Sequence, residues 1–327
     1  MMNTLPMTLL AHLDDVAVFQ TAAFINDGID EPNAKHNQLI QQNQASYGAL
    51  NLGLHVNDEA AQVLDNRMRL LVAINEKLAH LPAQSRPPLW IKSLHWVNQV
   101  HGKQIQDIDV AALSMKPMAA DAMLSQQNGL GLAIMTADCV PIVLYQPASG
   151  QIAAIHAGWQ GLACGVIQAT VQRFTQSGAI QAWMGVCISQ NNYEVGTQVR
   201  DQLLKGCIEN KSLTLDGIAS FERLYVVDSE TALHHDDDDD NNNNAQHLHK
   251  SVDKPSSCAT VISKKIKLNL PKLAADQLSA AGVMLDNASP ISCSYADEHY
   301  YSYRRQTHLQ QPATGRMALV IVRGIST

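Results

Sequence analysis

Short apolar runs at 131–135, 140–145 and 151–155 follow one another with polar punctuation between them, the last two separated by 147–150, which opens on Pro147 and closes on Gly150. Runs of this length bounded by turn residues predict buried strands, and the run from 317 to 322 predicts another core strand. Elsewhere the spacing turns helical. Leu64, Met68, Leu71, Ile74 and Leu78 make one stripe behind Asp58, an expected N-cap. A second stripe, Ala163, Ile167, Val171 and Phe174, opens at Gly161 and stops at Gly178. A third helix is expected from Pro271 to Gly282, burying Leu273, Ala274, Leu278 and Ala281.

Chemistry-bearing residues fall where the runs end. Cys139 closes Thr136-Ala137-Asp138-Cys139, and His156 stands at the end of the third run, before Ala157-Gly158-Trp159. Upstream, a strand-like stretch, Trp96-Val97-Asn98-Gln99-Val100, leads into His101-Gly102. Strand ends are where α/β proteins commonly build their sites. His101, Cys139 and His156 are too far apart in the chain for a zinc finger or ribbon, whose ligands come in close pairs. Wide spacing suits an open metal site: two imidazoles and a thiolate fill three of zinc's four tetrahedral positions and leave one for substrate. The same residues also fit a metal-free site with Cys139 as nucleophile and His156 as base. Taken singly, a buried Cys is usually a small hydrophobe and a buried His is usually just hydrogen-bonded.

Six motifs in order carry a resemblance: Asn51-Leu52-Gly53-Leu54-His55, Gln99-Val100-His101-Gly102, Ala120-Asp121-Ala122, Thr136-Ala137-Asp138-Cys139, His156-Ala157-Gly158-Trp159 and Tyr301-Ser302-Tyr303-Arg304-Arg305. Together they closely resemble the YfiH-type laccase-domain family, long called multicopper polyphenol oxidase and now described as purine nucleoside phosphorylase. The likeness runs from about residue 45 to the C-terminus, interrupted by one insertion. It implies a single compact α/β domain over 1–327, with β-sheet layers flanked by helices and unlike cupredoxin. It implies zinc on His101, Cys139 and His156, phosphorolysis of adenosine, inosine, guanosine and methylthioadenosine, and hydrolytic deamination of adenosine. The chain departs from the pattern at Gln160, where members often carry an arginine, and at Thr21-Ala22, where a Thr-Arg pair is usual. Gly185-Val186-Cys187-Ile188 stands for the usual Gly-Pro-x-Ile, and Gln306 stands where an Asp often follows the arginines.

Further residues are assigned roles on chemical grounds. Asn51 is expected to bind ribose or base by hydrogen bonds, or else to hold a turn. Arg304 and Arg305 offer planar donor forks for phosphate, with one of the two expected in a structural ion pair. Asp138 is expected to orient a ligand imidazole or to take a proton, with Glu194 as a second carboxylate candidate.

Composition narrows the classes. With 46% hydrophobic residues among 327 the core is ample. A net charge of -7 and a pI near 6.0, with no basic stripe, exclude a nucleic-acid footprint. No apolar run approaches the ~18 residues of a membrane span, and no basic-then-apolar leader opens the chain. A cytoplasmic location is therefore expected, and the resemblance implies nucleosides and phosphate as partners of a monomer or homodimer. Six cysteines scattered without a paired framework fit reduced thiols. Between His234 and His249, five aspartates and four asparagines read as a disordered polar insertion at about 234–250, too poor in apolar surface to order itself. Three rival functions stay open: a copper-dependent polyphenol oxidase, a Cys/His amidohydrolase editing a peptidoglycan precursor, and a non-catalytic binding protein. Copper ranks below zinc because the one His-x-His spacing, His247-Leu248-His249, falls in the insertion.

Overall fold

The computed structural model describes residues 5–24, 43–81, 88–110, 117–174, 176–229, 264–286 and 290–326. The apolar runs form strands as their lengths predict: Leu130–Thr136, Val140–Gln146, Gln151–Ala157 and Met317–Arg323. They do not share one sheet. A five-stranded sheet runs in the order Met7–Leu13, Val16–Thr21, Met317–Arg323, Leu130–Thr136, Ser93–His95. A six-stranded sheet runs Val283–Leu285, Ile180–Met184, Val140–Gln146, Gln151–Ala157, Ala122–Ser125, Ile105–Asp107. Pairing is antiparallel inside each sheet, with parallel strands added at edges of both.

The two-residue period of a strand explains why every position in these runs is apolar. Val16, Val18, Leu132, Ile134, Leu319 and Ile321 face Val143, Tyr145, Ile152 and Ala154 across the space between the sheets. The alternate residues face outward and are covered too. Phe19, Ala133, Met135, Ala318 and Val320 pack under the helix Ala60–Ala79, while Ile142, Leu144, Ala153 and Ile155 pack under Trp159–Cys164, Val166–Val171, Thr197–Glu209 and Leu270–Ala280. The result is a four-layer sandwich of helix, sheet, sheet and helices, which is the layered α/β arrangement expected.

Two helices differ from their expected form. The first begins at Ala60 with Glu59 at its cap, and it buries Val63, Asn66, Leu70, Ile74 and Leu78. Leu64 and Met68 of the expected stripe lie outside, 51% and 70% exposed. The first half of the helix is turned because Asn66 donates to the Asn51 carbonyl at 2.9 Å, and Arg67 donates to the Leu52 carbonyl through both Nε and Nη2. The second expected helix is two helices, broken by Gly165 at φ +76. There Asn210 donates to the Ala163 carbonyl, and Gly206 comes so close that a Cβ on it would sit 2.3 Å from that oxygen. The third helix, Leu270–Ala280, buries Leu273, Ala274 and Leu278 as its spacing predicts. No helix among the described residues is long and apolar enough to cross a membrane. The Asp/Asn-rich insertion lies outside the described residues.

Candidate active site

Strand Leu130–Thr136 belongs to one sheet and strand Val140–Gln146 to the other, so the three residues between them cross from layer to layer. Cys139 closes that crossing. Asp138 turns it at φ +108, a conformation a non-glycine residue rarely holds. What holds it is a bond on each of its oxygens: Ser294 Oγ donates to Oδ1 at 2.7 Å, the Arg304 N–H to Oδ2 at 2.6 Å, and the Ile188 N–H to the Asp138 carbonyl at 2.9 Å. The carboxylate of Asp138 shapes the crossing, and it is Asp121 that meets an imidazole.

His156 ends the strand Gln151–Ala157 and is buried, only 3% exposed. Asp121, just ahead of the neighbouring strand, takes its Nδ1 at 2.9 Å through Oδ1. The same carboxylate accepts the backbone N–H groups of His101 at 2.8 Å and Gly102 at 2.6 Å. One side chain thereby fixes two histidines, holding the ring of one and the backbone of the other. His101 sits in a loop at φ +60, where the sequence pattern predicts the end of a strand. The two rings stand edge to face with centroids 4.7 Å apart.

Donor atoms of His101, Cys139 and His156 all lie within 4.8 Å of one another. Among the described residues they are the one group of three or more such side chains that could hold a metal ion. Burial works against a charge on Cys139, yet the His156 imidazolium and hydrogen bonds from both histidines outweigh it and bring the thiol down to about 6. Burial likewise opposes a charge on His156, and the Cys139 thiolate and Asp121 reverse it, raising the imidazole to about 9. Asp121 is itself held below the usual carboxylate range: burial disfavours its charge, and the bonds from His156, Gly102 and His101 prevail. The floor of the site is Gly158, where a Cβ would come within 3.0 Å of Cys139 Sγ and 3.4 Å of His101 Cδ2. A thiolate and two imidazoles, one braced by a carboxylate, are a donor set that suits zinc or another borderline-soft ion.

Other sequence candidates lie elsewhere. Arg305 is buried, and its guanidinium donates to the carbonyls of Ser294, Tyr295, Asp297 and Tyr300, which ties one loop together. Arg304 Nη1 donates to the Glu194 carbonyl at 2.6 Å, and its guanidinium carbon lies 5.3 Å from the centre of the Tyr193 ring. Glu194 is engaged by Ser229 and Lys265. Asn51 is buried, with Oδ1 accepting from Gly53 and Arg316 N–H groups and Nδ2 donating to Asp58 at 2.8 Å, so it holds a turn. Asp121 was visible only as a member of a motif, without a role.

With this geometry in hand, comparison with known proteins is informative. The pattern of the family described as multi-copper polyphenol oxidoreductase laccase matches residues 38–222 and 222–324. The chain belongs to that laccase family. Its laccase-family relatives include proteins named purine nucleoside phosphorylase YfiH in Shigella flexneri and Escherichia coli, each 40% identical over 162 residues, 48% of this chain and 59% of theirs. A Pseudomonas aeruginosa protein also named purine nucleoside phosphorylase is 36% identical over 170 residues, 52% of this chain and 62% of its own. The chain thus spans about three fifths of the length of these relatives in the matched region. Among solved structures, Neisseria meningitidis protein NMB0706 superposes with a TM-score of 0.64 at 23% identity, covering 97% of this chain and 99% of that one. A Bacillus licheniformis hypothetical protein YfiH gives 0.62 at 20% identity, covering 98% of each chain. These superpositions show that the fold is that of the laccase-domain proteins, distinct from cupredoxin.

Proposed function

We propose that this chain is a metal-dependent purine nucleoside phosphorylase whose metal is zinc, held by His101, Cys139 and His156. The observation that carries the reading is the convergence of two imidazoles and a thiolate, with Asp121 fixing both histidines. Relatives that share the family are named for this activity. Adenosine, inosine, guanosine and methylthioadenosine are its substrates, and deamination of adenosine is its second activity.

In phosphorolysis a phosphate oxygen bonds to the anomeric carbon and the bond from that carbon to the purine nitrogen breaks. The electron pair leaves with the purine, which takes up a proton, giving base and sugar 1-phosphate. In deamination water replaces the amine of adenosine and ammonia leaves. Bound zinc supplies Lewis acidity for such steps. The chain's own residues set the geometry. Asp121 accepts a hydrogen bond from His156 Nδ1, which leaves Nε2 as the ring nitrogen that would hold an ion. Gly158 keeps the space in front of the thiolate clear.

The test is metal content on purified, tag-free protein and on Cys139→Ala, with adenosine plus phosphate turnover followed on the same samples. Near-stoichiometric zinc in the wild type, lost in the variant together with ribose 1-phosphate and inosine, is the expected result. A second reading has its own support, since a thiol at about 6 beside an imidazole at about 9 is the ion pair of a cysteine hydrolase. Wild-type protein without metal and without nucleoside turnover would replace the first reading with the second, with amide substrates to be tried next.

A further inference from the structure

The phosphate acceptor needs a cationic seat; of the two arginines expected to provide it, Arg305 is occupied with backbone carbonyls, and Arg304 holds the Glu194 carbonyl through Nη1 with its guanidinium against the Tyr193 ring. A different arginine and a neutral imidazole donor stand at the site, Arg316 and His55. Arg316 immediately precedes the strand Met317–Arg323, and the register Met317↔Thr136 sets it opposite Ala137, at the start of the crossing that carries Asp138 and Cys139. Its backbone is clamped to the Asn51–His55 turn, since Arg316 N donates to Asn51 Oδ1 at 2.9 Å and Leu52 N donates to the Arg316 carbonyl at 3.1 Å. Its side chain lies over Gly53, where a Cβ would be 2.8 Å from Arg316 Cγ. Nη1 donates to the Thr314 and Gly315 carbonyls, which anchors one arm of the fork. Among the described residues no hydrogen bond occupies Nε or Nη2, and no carboxylate forms an ion pair with the guanidinium.

His55 belongs to the turn on which Arg316 lies. Burial, followed by the positive charges of Arg316, Arg67, His101 and His156, holds its imidazole below the ordinary histidine value. His55 therefore lies within electrostatic reach of the two histidines of the site and of both arginines. Arg67 is spent on bracing the turn, with Nε and Nη2 on the Leu52 carbonyl and its guanidinium 4.2 Å above the Trp96 ring. The acidic groups whose charge acts on Arg316 are Cys139, Asp138 and Tyr303. The oxygens of Asp138 are already taken by Ser294 and Arg304, and Cys139 belongs to the metal group. Positive charge thus gathers on one flank of the site without a dedicated counter-anion among the described residues. An anion with several acceptor oxygens suits an arginine fork with open donors beside an imidazole.

We propose that Arg316 and His55 form the phosphate subsite of this enzyme, beside the His101–Cys139–His156 group. The assignment rests on the phosphorylase reading and goes beyond it by naming where the second substrate sits.

Initial rates with phosphate varied at saturating nucleoside, and the reverse, test it on wild type, Arg316→Gln, Arg316→Lys and His55→Gln. The phosphate KM should rise about tenfold or more in Arg316→Gln and less in Arg316→Lys, with nucleoside KM held within about twofold. Arg200→Gln, which removes a surface cation paired with Asp201 and Glu222, should leave both constants unchanged. An unchanged phosphate KM in Arg316→Gln and His55→Gln, with metal content and circular dichroism intact, overturns the assignment. Should Arg316→Gln fail to fold, His55→Gln, in its exposed turn, decides alone. Should the wild type show no phosphorolysis, the enzyme reading fails separately, and calorimetric titration with inorganic phosphate decides the subsite. Binding by the wild type that weakens in His55→Gln and Arg316→Lys upholds it, and no binding by the wild type ends it.

Discussion

Asp121 carries more of the site than any ligand it supports. Its carboxylate accepts from His156 Nδ1 and from the backbone of His101 and Gly102, so losing the charge loosens two ligands together. Asp121→Asn keeps the size of the side chain but puts an amide where acceptors are needed. Metal affinity should fall about 10- to 100-fold, the usual effect of removing a carboxylate behind a ligand histidine. Competition with a chromophoric chelator measures it, and an unchanged affinity would show that the histidines are fixed by other means. Arg305 makes the opposite prediction. Its donors satisfy buried carbonyls far more than they face the ligands, so Arg305→Met should cost about 2–4 kcal/mol of stability. Metal content and turnover per folded molecule should stay at the wild-type level, which a denaturation curve and an active-site titration can separate. The three ligand candidates were legible from the sequence because each sits in its own motif. Roles for Asn51, Asp138 and Arg305 were not, since a polar residue in a motif can serve a turn as well as a substrate, and only its hydrogen-bond partners tell which.

At the scale of elements, hydrophobic period located the strands well and the first helix only in part. Strands 130–136, 140–146 and 151–157 are buried on both faces, so they are apolar throughout except Thr136, Gln146, Gln151 and His156 near their ends, and their extent is plain from the chain. Which sheet each belongs to is invisible to that signal, because continuous apolar runs do not distinguish one face from the other. The helix Ala60–Ala79 offers two apolar stripes, one through Leu64, Met68 and Val72 and one through Val63, Leu70 and Ile74, and the period alone does not choose. Polar anchors decide: Asn66 and Arg67 reach the Asn51–Leu52 carbonyls and turn the second stripe to the core. Leu70→Ala should therefore cost about 2–5 kcal/mol, and Met68→Lys should stay within about 0.5 kcal/mol. Urea unfolding of both variants checks the phase, and a large loss for Met68→Lys would contradict it. The break at Gly165 escaped the sequence for a related reason, because its left-handed turn is imposed by Asn210 and Gly206 from a distant helix.

For the molecule as a whole, the three candidate ligands of the proposed metal site come from three connections that the two sheets hold in place. Cys139 lies on the crossing from one sheet to the other, His156 ends a strand of the six-stranded sheet, and His101 stands in the loop between Ser93–His95 of one sheet and Ile105–Asp107 of the other. An ion gripped by all three links the sheets at one end of their shared core. Whatever binds the folded state alone stabilises it by an amount that grows with the logarithm of free ligand over its dissociation constant. At about 100-fold excess over that constant the gain is roughly 2.7 kcal/mol, which for a chain of this size amounts to a few degrees in Tm. Stripping the metal with a chelator should lower the thermal midpoint by about that much, and adding zinc back should restore it. Cys139→Ala should start at or below the stripped value and respond to neither treatment. The insertion should behave differently, because its ends are already together: Asp228 pairs with Ile266, and the Ser229 N–H donates to the Lys265 carbonyl at 3.3 Å. Replacing 231–262 by a turn of about two to four residues would close a hairpin that the flanking strands already set up. The shortened chain should keep the metal-dependent step in its melting curve, since none of the three ligands lies on that hairpin. A shortened chain that folds but no longer responds to zinc would place the insertion in the metal site and would overturn the three-ligand arrangement as a complete description of it.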